Sequence, residues 1–190
     1  MDECRTNKFK GHSLHRTLSG LNVRLSDQLN KEDSNIEAKI PVSFTIDGQT
    51  VNAAVYVISK GIDMKQYREN EGVLLIQNGQ THGTYDKKFY SRTSVNLSYL
   101  ADSLLTVVDC TGIDEATREE LFMNSRDRTR SSVFANKLEA YIEDYLKNDA
   151  TLKEIQQRRR EEAISDKLDD SKPLEDVLSS VFKTSSVLSR

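Results

Sequence analysis

The hydrophobic positions of this chain fall into short runs in its middle part, and these runs predict β-strands. Ile40–Ile46 and Val51–Ile58 stand on either side of an Asp-Gly pair, which is a hairpin turn signal. The runs at 73–77 and 104–108 are continuous and apolar, as expected for buried strands. A helix-sized connection separates these last two runs, so the pattern predicts a βαβ crossover.

A polar turn follows the third predicted strand, and two short helices, near 86–90 and 98–103, are predicted after it. Asn78, Gly79 and Gln80 begin the turn. Polar groups after a buried strand are placed to contact ligands, whereas glycines there are also explained by their tolerance of positive φ, and both interpretations stay open. Further along, His82 lacks the neighbouring nucleophile or acid that general-base catalysis needs.

After the fourth predicted strand the hydrophobic positions follow the helical period. The pattern predicts a helix over 114–123 with Thr111 as its N-cap, and a second helix capped by Ser131 or Ser132. The second helix has an amphipathic face. The pattern over residues 150–168 predicts a third helix, which is charged and has a thin apolar stripe. The face comprises Phe134, Leu138, Tyr141, Ile142 and Tyr145, and the stripe comprises Leu152, Ile155, Ile164 and Leu168.

Composition divides the chain into three parts. A polar segment over 1–35, expected to be peripheral or flexible, precedes an α/β domain over 36–148, and a helical extension covers 149–190. The 190 residues are 36% hydrophobic and 30% charged, which suits one domain with appendages. The predicted fold class is α/β, with a small mixed sheet, a βαβ crossover and a helical C-terminal extension.

Charge and cysteine content narrow the class of protein. The net charge of −3 gives no overall attraction to nucleic acid or membrane. Two cysteines do not make a disulfide framework, and Cys110 is expected to pack as a small apolar residue. Cys4, His12 and His15 are one ligand short of a structural zinc site. No signal-peptide or membrane-spanning pattern is evident, so we expect a cytoplasmic protein without a membrane partner.

Three arginines, Arg126, Arg128 and Arg130, follow the predicted strand that leads into Asp109. Guanidinium groups suit phosphate oxygens, so one of these arginines is a candidate to reach a nucleotide γ-phosphate across a domain interface. The alternative is a solvated cluster paired with neighbouring acids. Asp109 is a candidate Mg²⁺ ligand, but no second acid stands at metal spacing, which favours a turn-forming role.

Residues 40–145 resemble the middle, or transducer, domain of ATPases of the gyrase, heat-shock chaperone, histidine kinase and MutL (GHKL) superfamily, most of all the ninety-kilodalton heat-shock chaperone family. In that family a helix with Tyr or Trp before Leu leads to a Val-Val-Asp-Ser strand end and then to Ser-Arg-Glu. Here Tyr99-Leu100, Val107-Val108-Asp109-Cys110 and Ser125-Arg126-Asp127 stand in the same order. The 17 positions from Asp109 to Arg126 exceed the family spacing, so either Arg126 or Arg128 takes the place of the family's arginine.

This resemblance implies a function. A transducer domain couples the ATP state of an adjacent ATP-binding domain to conformational change, with Arg126 or Arg128 as the catalytic residue at the γ-phosphate and Asn78, Gly79 and Gln80 as candidate cofactor-binding residues. ATP and Mg²⁺ are expected only through that partner domain, because the sequence lacks a glycine-rich phosphate loop. The chain alone is not expected to hydrolyse ATP. A protein client or nucleic acid is a further expected partner.

The alternative class is a protein- or nucleic-acid-interaction module with no link to nucleotide. The arginine cluster at 126–130 and the helix at 150–168 would then form its binding surface. Arg158, Arg159 and Arg160 are the candidate nucleic-acid contacts of that helix, although Glu161 and Glu162 follow at once and offset their charge. A stand-alone hydrolase or nuclease would need a catalytic pair that the sequence does not provide.

Overall fold

Five strands form one mixed β-sheet. The computed structural model describes residues 21–29, 34–122 and 132–166 of the chain. The strands are β1 (Ile36–Ile46), β2 (Gln49–Ile58), β3 (Glu71–Gln77), β4 (Gln80–Asp86) and β5 (Leu104–Asp109). Their order in the sheet is β1-β2-β5-β3-β4; β3 and β5 run parallel, and the other neighbouring pairs are antiparallel. This sheet, together with the helices below, confirms the α/β class.

The β1–β2 hairpin forms where the Asp-Gly signal predicts it. Ile46 pairs with Gln49 across a two-residue turn. The turn residues Asp47 and Gly48 have φ values of 49° and 80°, the left-handed conformations that a tight hairpin turn requires and that Asp and Gly tolerate. The turn chemistry therefore sets the register of the two longest strands.

The parallel β3–β5 pair confirms the crossover, but its connection contains a strand that the sequence analysis missed. Strand β4 returns antiparallel to β3 from the turn at 78–79. The helix of the crossover is the short 3-10 helix Lys87–Ser91, whose N-cap Asp86 accepts a hydrogen bond from the backbone N–H of Lys88 at 2.8 Å. Where a helix is predicted over 98–103, the chain forms a series of turns.

Four α-helices accompany the sheet in the described parts of the chain, and none of them is long and apolar enough to cross a membrane. They are α1 (Leu21–Leu29), α2 (Glu115–Leu121), α3 (Val133–Asn148) and α4, which covers residues 150–166. The predicted N-cap of α2 is wrong, because Asp114 rather than Thr111 accepts the N–H of Thr117, at 2.7 Å. Ser132 caps α3 as predicted and accepts the N–H of Ala135 at 3.0 Å.

One face of the sheet packs against α3 and α4. Leu138 of α3 and Leu152 of α4 are fully buried there, and Ile155 is almost so. Tyr141, predicted for this apolar face, is instead 49% exposed and stacks on Phe44 at 6.1 Å between ring centroids. The buried row of α3 includes Ala135 and Leu146, which shifts the centre of the face away from Tyr141.

The other face of the sheet packs against α1, a helix that the sequence analysis did not predict. Leu25 is fully buried in a cluster that also contains Tyr56, Ile58 and Leu105. Helix α1 therefore contributes to the core, although it precedes the predicted domain boundary at residue 36. The separate character of residues 1–35 otherwise stays a prediction, because most of this segment lies outside the described ranges.

An ion pair holds α4 to the edge strand β1. Arg159 is 8% exposed; its Nη2 lies 2.5 Å from Oε2 of Glu37, and Arg158 pairs with the other oxygen of the same carboxylate. Two of the three arginines predicted as nucleic-acid contacts are thus bound within the protein. Ile164, predicted for the apolar stripe, is 46% exposed, and Leu168 lies outside the described residues.

Candidate functional site

The parallel pair of strands brings two of the sequence-predicted features to one edge of the sheet. Ile76 of β3 pairs with Asp109 of β5, and the backbone N–H of Cys110 donates to the carbonyl of Ile76 at 2.8 Å. One residue past the end of β3, the N–H of Asn78 donates to Oγ1 of Thr111 at 2.9 Å. The carboxyl ends of both strands, and the turns that follow them, therefore form one surface, which we call the switch edge.

The turn at the switch edge is the β3–β4 hairpin turn. Asn78 and Gly79 have φ values of 49° and 76°, which explains the Asn-Gly pair as a tight two-residue turn. Gln80 begins β4, and all three residues are exposed. Local geometry thus accounts for the residue types, while their exposure leaves them accessible to a partner. Their role as cofactor-binding residues stays a prediction.

Asp109 forms a turn at the end of β5. Its Oδ1 accepts the backbone N–H of Thr111 at 2.9 Å, which is an Asx-type turn. Thr111 in turn holds the β3–β4 turn through its hydroxyl, instead of capping α2. Within residues 21–29, 34–122 and 132–166, no group of three acidic, histidine or cysteine side chains is arranged to hold a metal ion.

Arg118 is a residue at the switch edge that the sequence analysis missed. Its Nη2 donates to the carbonyl of Ile113 at 2.8 Å. With the amide oxygen of Gln77 turned toward it, Arg118 also donates to that oxygen from Nη1 and Nε at 3.2 and 3.3 Å. Nothing in the sequence around Arg118 marks it, because its partners come from a distant strand and from a loop carbonyl.

The start of β2 is tied to the same edge by Gln49 and Asp114. Oε1 of Gln49 accepts the backbone N–H of Asp114 at 3.0 Å, and its Nε2 donates to the Asp114 carboxylate. The backbone N–H of Thr117 also donates to that carboxylate, and this bond, with the help of Gln49 and of the positive charge on Arg118, lowers the pKa of Asp114. The N-terminus of α2 is therefore fixed to the sheet by charge-assisted hydrogen bonds.

The arginine cluster that the sequence analysis selected, Arg126, Arg128 and Arg130, lies outside the described residues, so their placement stays a prediction. The described residues on both sides of the cluster are anchored near the switch edge. The ring of Phe122 packs against His82 of β4 with 5.4 Å between centroids. On the other side, the N–H of Phe134 donates to Oε1 of Glu120 at 3.5 Å, which joins α3 to α2.

Cys110 confirms the apolar role expected of it. It is fully buried just after β5, and burial raises the pKa of its thiol to about 12. At neutral pH the thiolate, which is the nucleophilic form, is therefore suppressed. Cys110 is a packing residue behind the switch edge and supplies no chemistry to it.

Comparisons with known proteins leave the chain without an assigned family. No family model matches it, and no curated protein matches it either. The resemblance to transducer domains therefore rests on the sequence alone, on the residues from Tyr99 to Asp127 quoted above.

Proposed function

We propose that this chain is the transducer domain of a chaperone-like ATPase and couples the ATP state of an adjacent ATP-binding domain to movement. The observation that supports this most is the switch edge itself. There the parallel strands β3 and β5 end side by side, and an exposed Asn-Gly-Gln turn lies next to the acid-ended strand. In open α/β sheets, ligands and partner groups bind outside the carboxyl ends of parallel strands.

The chemistry of the proposal belongs to Arg126 or Arg128. Charge builds up on the transferred phosphoryl group during ATP hydrolysis, and a guanidinium placed against its oxygens stabilises that charge. The sequence carries no glycine-rich loop to bind the phosphates itself. The arginine therefore acts on ATP held by another domain, and the exposed residues Asn78, Gly79 and Gln80 contact that domain or its nucleotide.

Hydrogen bonds at the switch edge support the proposed coupling role. The β3–β4 turn is joined to Thr111, Gln77 is joined to Arg118, and β2 is joined to the N-terminus of α2. A force applied at the exposed turn is therefore passed to β5 and α2 together. In the sequence the arginine segment follows α2 directly, so in this proposal a movement of α2 is passed on to the arginine.

Calorimetric titration of the 190-residue chain with Mg·ATP, alone and after addition of the ATP-binding domain, tests the proposal. The chain alone is expected not to bind ATP, whereas binding between the two domains is expected to tighten with a non-hydrolysable ATP analogue. Asn78→Ala with Gln80→Ala weakens this nucleotide-dependent association, and Lys153→Ala, on the exposed side of α4, leaves it unchanged. ATP binding by the chain alone with a Kd below about 10 µM, roughly 7 kcal/mol, contradicts the proposal.

A further inference from the structure

A basic cleft lies on the face of the protein formed by α3 and α4, away from the switch edge. It has a volume of about 640 Å³, within the range of small-molecule and nucleotide sites. The turns around Asn96 and Tyr99 form one wall, and the end of α3 and the exposed side of α4 form the other. The cleft does not involve any residue of the proposed transducer mechanism.

The charge of this cleft is opposite to that of the chain as a whole. Lys147, Lys153 and Arg160 line it, and no described lining residue is acidic, although the chain carries a net charge of −3. All three cations are exposed, and none forms an ion pair with a described residue, in contrast to Arg158 and Arg159 beside them. Two carboxylates border the cleft, and side-chain amides of the lining hold both: Gln157 donates to Glu161 at 2.7 Å and Asn148 donates to Asp144 at 2.9 Å.

The spacing of the cations selects a ligand with more than one negative group. Lys153 and Arg160 are seven residues apart, or roughly 10 Å along the helix axis. Lys147 extends the row onto α3. A single phosphate or carboxylate does not reach all three, whereas successive phosphates along a polynucleotide strand do.

The uncharged groups of the cleft favour a nucleotide over a plain polyanion. Tyr99 is 48% exposed beside the cations and offers a ring face on which a base can stack. Gln156 donates from Nε2 to the carbonyl of Asn96 at 3.0 Å, and its Oε1 is buried without a hydrogen-bond partner. This hydrogen bond joins α4 to the turn at Asn96, and Oε1, which is closed off from the cleft, is not available to a ligand there.

We infer that this cleft binds single-stranded nucleic acid. Lys147, Lys153 and Arg160 contact successive phosphates, and Tyr99 stacks on a base. The inference goes beyond the proposed ATP coupling and does not depend on it, because the cleft shares no residue with the switch edge and needs no ATP-binding domain.

Fluorescence anisotropy of a 5′-fluorescein-labelled 12-nucleotide oligothymidylate, titrated with the full chain in 50 mM NaCl, tests the inference. The expected Kd is in the micromolar range. The triple variant Lys147→Glu/Lys153→Glu/Arg160→Glu is expected to bind at least 30-fold more weakly, and its log–log salt slope is expected to be smaller by about 2, since each lost single-strand phosphate contact removes about 0.7. The matched charge reversal Lys65→Glu, on the other sheet face, stays within twofold of the parent.

Further arms separate the possible ligands and guard against misfolding. Tyr99→Ala is expected to weaken binding about tenfold, as for lost base stacking, while a 12-base-pair duplex binds more weakly than the single strand. Oligouridylate in place of oligothymidylate shows whether RNA or DNA is preferred. The variant Lys147→Gln/Lys153→Gln/Arg160→Gln removes the charges without reversing them. It should keep the parental circular dichroism spectrum and melting temperature and must also bind at least tenfold more weakly.

Two results would overturn the inference. One is a loss of the expected binding or of its charge dependence: either neither oligonucleotide binds with a Kd below 100 µM, or both bind the charge-reversed variant as tightly as they bind the parent protein. The other is that polyglutamate or duplex DNA competes as strongly as the single strand and Tyr99→Ala has no effect. That pattern would assign the cleft to an acidic protein segment or to double-stranded DNA.

Discussion

Arg159 of α4 binds Glu37 of β1 across 122 positions of sequence, with 2.5 Å between Nη2 and Oε2. The guanidinium is almost fully buried, and it also lies 3.4 Å from the carbonyl oxygen of Ile58. This pair fixes the C-terminal helix against the first strand of the sheet. It thereby also positions the exposed side of α4, which carries Arg160.

Replacement of Arg159 by alanine is expected to destabilise the protein. The change removes a charge-assisted hydrogen bond and leaves the carboxylate of Glu37 with Arg158 alone, so the free energy of unfolding should fall by about 1.5–3 kcal/mol. Urea unfolding followed by circular dichroism measures this change. Arg160→Ala is the matched control, because Arg160 is exposed and unpaired among the described residues, and its effect should be under about 0.5 kcal/mol. Equal stabilities of the two variants would show that the Arg159–Glu37 pair contributes nothing.

A close approach at Gly72 leads to a second prediction. A Cβ at this position would lie 2.9 Å from Cα of Lys87 and 2.9 Å from Cε2 of Tyr90. Tyr90 cannot move away easily, because it is fully buried and its hydroxyl donates to the Gly72 carbonyl at 2.5 Å. Gly72→Ala should therefore cost about 1–3 kcal/mol by overpacking.

The control for Gly72 is Gly112. A Cβ there would meet its nearest atom, the carbonyl oxygen of Thr50, at an ordinary 3.7 Å. Thermal unfolding of Gly72→Ala and Gly112→Ala gives the comparison, with a clear drop in Tm expected for the first and little change for the second. If both variants melt with the parent protein, the packing of the 3-10 helix against β3 is looser than described.

Where local sequence determined an element, the prediction from sequence was confirmed. The Asp-Gly turn fixed the β1–β2 hairpin, the continuous apolar run at 104–108 marked β5, and Ser132 marked the start of α3. These signals act within a few residues, through turn geometry, side-chain shape or capping. The same is true of Asp109, whose turn-forming role needs only its neighbour Thr111.

Elements defined by distant partners were missed. Strand β4 is an edge strand with the polar sequence QTHGTYD; its one large apolar side chain, Tyr85, packs against the core, and its backbone ladder to β3 defines it as a strand. Helix α1 is short, and it is recognisable only because Leu25 enters a cluster supplied by four strands, β1, β2, β3 and β5. Arg118, Arg159 and the three cations of the basic cleft gain their meaning from residues far away in the sequence. Periodicity does not report such contacts.

The buried thiol of Cys110 gives a third prediction. Because burial raises its pKa from 9.0 to about 12, the thiolate fraction at pH 8 falls about a thousandfold. In a Cys4→Ser variant, Ellman's reagent should react with Cys110 at least a thousandfold more slowly in the native protein than in denaturant. Rapid reaction in the native state would show that the end of β5 opens easily.

The same shift sets the sign of the pH dependence of stability. In the unfolded chain the thiol loses its proton near pH 9.0, whereas in the folded protein it keeps the proton until about pH 12. The contribution of the Cys110 thiol to the free energy of unfolding is therefore fully present below pH 9 and is lost as the pH rises toward 12. Burial also raises the pKa of Tyr90, which acts in the same direction at higher pH. Cys110→Ala should reduce the fall in Tm between pH 8.5 and 10.5.

The most direct test of the proposed transducer role is the ATPase rate of Arg126→Ala and Arg128→Ala, measured with the ATP-binding domain supplied in the longer gene product or in trans. One of the two variants should lower turnover by about 10²–10³-fold, or roughly 3–4 kcal/mol, because a cation at the transferred phosphoryl group acts on transition-state charge. The Kd for ATP and the thermal unfolding of both variants should stay near the parental values, as should the turnover of the Lys153→Ala control. If Arg126→Ala and Arg128→Ala both hydrolyse ATP at the parental rate, neither arginine reaches the nucleotide, and the transducer account is contradicted.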